Sequence, residues 1–180
     1  MSEIGNINPE ANKDSLEAVQ EAVNALASAL HERWQEDYKR ENGDNSTRVK
    51  VKIEEGGKER WINEGDLSGH PEATEITRQD IANTPYVDLD PAWQEDNEAA
   101  AEFVVNMIVY DPSVLDTDLD SDIERRNRIG EAIHQAWLDR NDWAKQDEIL
   151  GRPFVDLPEE EANKDIAQLK AAVELFGKPE

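Results

Sequence analysis

Two short stretches decide how this sequence is read: Ile133-His134-Gln135-Ala136-Trp137 and, beyond it, Pro153-Phe154-Val155-Asp156-Leu157. Each has a counterpart earlier in the chain, Leu30-His31-Glu32-Arg33-Trp34 and Pro85-Tyr86-Val87-Asp88-Leu89. The order is the same in both halves: His-x-x-Trp, then Pro-aromatic-Val-Asp-Leu. Similarity that keeps its order as well as its residues is the signature of a repeated structural unit. Histidine and tryptophan three apart lie on one face of a helix. In the second stretch the aromatic and the leucine cannot both share a face with the valine at strict period two, so a bend is expected inside it. The His-to-Pro separation is 54 residues in the first half and 19 in the second. The excess of 35 residues reads as an insertion in the first copy.

Around these stretches the hydrophobic spacing predicts four helices and one hairpin. Leu16, Val19, Val23, Leu26, Leu30, Trp34 and Tyr38 recur every three or four residues, which predicts a long helix starting near Asp14 or Ser15 and stopping at Gly43. Asp90-Pro91 reads as a cap with proline at the first helical position, followed by a face of Ala100, Phe103, Val104, Met107 and Ile108. Ser121-Asp122-Ile123-Glu124 reads as a capping box for a third helix carrying Ile123, Ile129, Ile133 and Trp137. Leu157-Pro158-Glu159-Glu160 opens a fourth, with Ile166, Leu169, Val173 and Phe176. Over 48–63 the period changes to two: Val49, Val51 and Ile53 alternate with Lys50, Lys52 and Glu54. Gly56-Gly57 supplies the positive-φ pair of a two-residue turn, which sets Val51 opposite Ile62 and Lys52 opposite Trp61. The stretch through Gly65, Gly69, His70 and Pro71 reads as a loop.

The expected fold is therefore mainly α: a four-helix arrangement of two helical repeats with approximate twofold symmetry, plus a β-hairpin insertion. Its parts are a polar tail over 1–13, a first unit over 14–115 carrying the hairpin at about 48–63, and a second unit over 116–180.

Charge narrows the function. The chain of 180 residues has 42 Asp and Glu against 19 Lys and Arg, a formal net charge of −23. Direct binding to a nucleic-acid backbone needs clustered cations and is not expected. Neither is a membrane surface or span, since no basic amphipathic stretch and no apolar run of about 18 residues occurs. With no cysteine and no leader pattern over Met1–Asn12, a cytoplasmic protein is expected. Gln79–Glu124 holds thirteen acids and no Lys or Arg. Asp88, Asp90, Glu95, Asp96, Asp116, Asp118, Asp120 and Asp122 are its candidate interaction surface. Basic residues gather instead at Arg48, Lys50, Lys52, Lys58 and Arg60 and at Arg125, Arg126 and Arg128.

The order of motifs resembles the RyR repeat, a small helical domain named after the ryanodine receptor and found also in bacterial and phage proteins. The second copy is the closer one: Ile133-His134-Gln135-Ala136-Trp137, then Trp143, then Pro153-Phe154-Val155-Asp156-Leu157-Pro158, ending at Lys164-Asp165. The first keeps His31, Trp34, Pro85, Tyr86, Leu89 and Asn97. The resemblance implies a helical binding or scaffolding module with no settled catalytic activity. It also implies nucleotide-derived ligands, as proposed for some bacterial relatives.

Motifs for chemistry are few. His31, His70 and His134 show no His-x-x-x-His pairing, so no metal site is expected. Asp116, Asp118, Asp120 and Asp122 match the opening of a calcium loop, but its sixth and twelfth positions hold Ser121 and Asn127. No phosphate-binding glycine loop and no nucleophile elbow occurs, and no cofactor is expected. The leading expectation is a non-catalytic binding protein whose ligand, a protein or a small polar molecule, meets His31, Trp34, Tyr86, His134, Trp137 and Phe154. The alternative is an acidic nucleic-acid mimic that inhibits a basic DNA- or RNA-binding protein, as a phage counter-defence protein does.

Overall fold

A computed structural model of the chain describes residues 9–177, with side chains described from residue 15. Residues 1–8 of the expected polar tail lie outside the described residues; residues 9–13 are already helical. The described residues form α1 (Pro9–Asn42), β1 (Val49–Glu55), β2 (Lys58–Asn63), β3 (Thr74–Asp80), α2 (Pro91–Tyr110), α3 (Ile123–Arg140) and α4 (Glu159–Phe176). The mainly helical class is as expected. Internal contacts divide the chain into two compact units, one of residues 28–97 and one made of residues up to 27 together with 98 onward.

Local chemistry sets most element ends. Gly43, at φ 99°, turns the chain out of α1 and donates its N–H to Lys39 O at 2.7 Å. Asp90 accepts from Ala92 N at 3.1 Å ahead of Pro91, as the Asp-Pro pair predicts. Asp122, not Ser121, caps α3, its Oδ1 taking Arg125 N at 3.0 Å. The Asp122 carboxylate, one residue later, takes the place of the expected Ser121 cap.

The 28–97 unit contains the sheet. Its order is β2-β1-β3, antiparallel throughout. Val51 pairs with Ile62 and Lys52 with Trp61, the register that the Gly56-Gly57 turn requires, and both glycines have positive φ. The hairpin is there, but β3 makes it a three-stranded sheet in a region read as irregular. Thr74-Glu75-Ile76-Thr77-Arg78-Gln79-Asp80 has no apolar alternation because most of the strand is exposed. Backbone pairing to β1 holds it, with Val51 and Ile53 fully buried on the central strand.

In the other unit the core includes Leu26 and Ala27 of α1, Ala101, Val104 and Val105 of α2, Ile129 and Ile133 of α3, and Ile166 and Leu169 of α4. The expected stripes are rotated at their ends, where Leu16 and Ile123 are exposed. On α2, Ala101 and Val105 replace Ala100 and Ile108 as the buried positions. Period 3.6 rather than 3.5 moves the stripe sideways over several turns, so its first and last members leave the core.

Phe154 is buried against Ala162 and Ile166, with Leu119 and Leu157 beside them. The ring lies directly on Gly130 of α3, where an added Cβ would sit 2.6 Å from Phe154 Cε1. Gly130→Ala is therefore expected to lower stability by about 1–3 kcal/mol, the usual cost of overpacking. Urea denaturation of the variant measures it, and the smaller side chain of Phe154→Leu placed on top should restore part of the loss.

Candidate functional site

Both copies of the motif build the same local frame. His31 stacks on Trp34 with centroids 5.7 Å apart and planes at 24°; His134 stacks on Trp137 at 6.0 Å and 22°. Both imidazoles are buried. His31 Nε2 meets Thr84 O at 3.0 Å, and His134 Nε2 meets Leu150 O at 3.0 Å and Arg152 O at 3.1 Å. Pro85 and Pro153 share extended backbone angles, and the bend predicted in each arm is a single 3-10 turn, Tyr86–Asp88 and Phe154–Asp156. Leu89 N and Leu157 N close these turns on Tyr86 O and Phe154 O, each at 3.2 Å. Of the six expected ligand residues, His31, Trp34 and Tyr86 thus gather in the 28–97 unit, and His134, Trp137 and Phe154 belong to the other.

The His134 frame borders a cavity of about 240 Å³ walled by His134, Trp137, Leu150, Leu157, Glu161, Lys164, Asp165 and Gln168. Phe154 is not part of this wall; it supports the arm from beneath. Residues 161, 165 and 168 recur at helical spacing, so α4 turns one face to the cavity, and Leu157 of the arm lies beside it. The carbonyls of Leu150 and Arg152 only accept, so Nε2 of His134 carries a hydrogen. The contact of Nδ1 with Asp165 Oδ2, 3.0 Å long, then needs a proton on one of the two atoms. Burial pushes the Asp165 carboxyl up to about 6, while the charge and hydrogen bond of His134 pull the other way. Glu161 and Lys164 pair at 2.8 Å on the rim.

In the 28–97 unit the corresponding frame is covered. Tyr38 stacks on Trp34 at 5.5 Å, and the Arg48 guanidinium lies over both rings, 5.5 Å from Trp34 and 5.8 Å from Tyr38. Lys50 Nζ lies 5.6 Å above Trp93, which packs against Trp61 at 5.5 Å. Burial, and then the nearby Arg48 charge, hold the Lys50 ammonium below the usual lysine range. Gln35 adds bonds to Ile81 O and Thr84 O at 3.1 and 2.8 Å.

The eight acidic candidates divide by occupation and by unit. Asp88, Asp90, Glu95 and Asp96 belong to the 28–97 unit, and Asp116, Asp118, Asp120 and Asp122 to the other. Asp90 and Asp122 cap helices. Asp118 accepts from Asp120 N and from Ser121 N and Oγ, which hold its carboxyl below the usual range. Asp88, Glu95, Asp96, Asp116 and Asp120 are exposed. Among the described residues no group of three His, Asp or Glu is placed to hold a metal ion, and no helix is long and apolar enough to cross a membrane.

Comparison of the chain with family models, with curated proteins and with solved structures finds no match.

Lys164 and Asp165 close the second motif copy but were not among the expected ligand residues; Gln168 and Leu150 lie outside the motif altogether. The signal for Asp165 and Gln168 was the helical spacing of α4. Because the folded pKa of Asp165 exceeds its ordinary 3.8, its contribution to stability is complete below pH 3.8 and is lost as pH rises through about 6. The stability advantage of wild type over Asp165→Asn should therefore shrink across that interval in denaturation series at pH 3.5, 5 and 7. Asp122→Ala should cost about 1 kcal/mol through the lost cap, measured by the same denaturation at pH 7.

Proposed function

We propose that this chain is a non-catalytic binding protein built from two diverged RyR-like helical units, with its ligand site in the cavity of His134 and Trp137. The single observation that carries this reading is a cavity bordered by Trp137 beside a buried histidine whose two ring nitrogens are both bonded. A general base needs a nitrogen free to take a proton. Here Nε2 is held by two carbonyls and Nδ1 by Asp165, so the imidazole is a strut and the cavity offers recognition. A wall of apolar surface with a few polar groups, Gln168, Asp165, Glu161 and Lys164, is the pattern of a binding pocket. The recurrence of the stacked His-Trp pair and of the proline-led 3-10 turn supports the repeat reading.

The alternative, an acidic inhibitor of a basic DNA- or RNA-binding protein, draws on the exposed carboxylates of Asp88, Glu95, Asp96, Asp116 and Asp120. It requires association that weakens steeply with salt.

A thermal-shift screen of amino acids, nucleotides and short peptides tests the leading reading. A true ligand at a hundredfold excess over its Kd stabilises the folded state by about 2.7 kcal/mol. That shift should vanish in Trp137→Leu and persist in Trp34→Leu, whose indole is already covered by Arg48. Shifts that survive Trp137→Leu would place the ligand elsewhere.

A further inference from the structure

We propose that the His134–Trp137 cavity receives a guanidinium, the side chain of an arginine on a partner protein. This rests on the binding-site reading above and adds the chemistry of the ligand. The same frame occurs twice in this chain, and in one copy it is already filled. There Arg48, on the threshold of β1, lays its guanidinium over Trp34, and Lys50 places its ammonium over Trp93. The inserted sheet thus covers the first frame with two cations and with the indole of Trp61.

No insertion stands in the second copy. Among the described residues no cation lies over Trp137, and its ring borders the cavity instead. The position four residues beyond the arm leucine is Trp93 in the first frame and Glu161 in the second. A ring that attracts a cation by its π-face is replaced by a carboxylate that attracts one by charge. Lys164 pairs with Glu161, but it is 64% exposed and can swing away when another cation takes its place.

Size selects a side chain over a larger molecule. Drug-sized ligands occupy roughly 300–1,000 Å³, and this cavity measures about 240 Å³. Arginine suits it better than lysine, since a planar, weakly hydrated guanidinium stacks on an indole while hydrogen-bonding carboxylates at its edge. Trp143 stands edge-on to Trp137 at 6.0 Å and is 65% exposed, which adds apolar surface next to Trp137. The net charge of −23 steers a cationic partner toward the chain.

The test is a titration of the full chain with a blocked tetrapeptide, acetyl-Gly-Arg-Gly-Gly-amide, followed by the indole N–H signal of Trp137 in proton–nitrogen NMR. The same peptide with citrulline keeps the shape and removes the charge. Arginine should shift the signal saturably, and citrulline should bind about tenfold more weakly. Glu161→Gln should weaken arginine about threefold, and Lys164→Gln should tighten it by a similar factor, as rim charges do. Equal binding of citrulline and arginine overturns the proposal, as does weaker arginine binding in Lys164→Gln. If adenosine monophosphate or inorganic phosphate shifts the signal and arginine does not, the cation inference falls while the binding-site reading stands. If none of these probes moves the Trp137 signal, both fall.

Discussion

The constraint that the rest depends on is a buried imidazole that bonds the backbone of a connecting arm. His134 reaches Leu150 O and Arg152 O, and His31 reaches Thr84 O. Carbonyls of a loop that runs beneath a helix have no partner in the loop itself, and leaving them bare costs about 1–3 kcal/mol each. A histidine on the helix supplies the donor. Once the arm is pinned there, the proline that follows starts an extended entry, and the 3-10 turn carries its aromatic inward. Phe154 lands on Gly130 by this route. The final leucine of the arm then delivers the chain to the next helix. Without the imidazole bond the cavity loses one wall, because Leu150 lines it.

The two copies diverge where one needs a carboxylate and the other does not. His31 packs against Tyr86 and Trp34 under the cover of Arg48. His134 has Asp165 behind it, buried enough that its carboxyl holds a proton more tightly than usual. The shared proton of that pair removes net charge from the cavity floor, so a buried acid is tolerated where an isolated carboxylate would not be. One frame lies under Arg48 with Lys50 over the neighbouring Trp93, and the other borders a cavity.

Reading the sequence succeeded where local chemistry acts alone. Gly56-Gly57 requires a tight turn, the turn fixes the pairing of Val51 with Ile62, and the sheet has that register. Asp90-Pro91, Gly43 and the bend in each arm were legible for the same reason. Reading failed where tertiary context decides. β3 is polar, so only its partner β1 makes it a strand. Ile123 and Leu16 fit a helical stripe but lie past the end of what the stripe covers. Phe154 matched a ligand-binding pattern, yet its ring is spent on Gly130 and Ile166. Asp165 stood at the end of the second motif copy, but its role did not show there, because what defines it is burial against His134, a contact across 31 residues of sequence.

Abundant acid also changes how single carboxylates are weighed. In a chain of this charge each folded carboxylate is repelled by many others, so those that persist in fixed places need local donors. Asp111, Asp118 and Asp147 have them, and their carboxyls sit below the usual range through bonds from neighbouring N–H and hydroxyl groups. Their charge serves turns and caps, and a partner that competed for it would have to break those bonds. Glu161 is different: it pairs with Lys164, a long side chain that is 64% exposed and free to swing away at little cost. A cation arriving at the Trp137 face therefore displaces a surface ion pair, not a structural one, and the cheapness of that exchange is what distinguishes this carboxylate from the helix-capping ones.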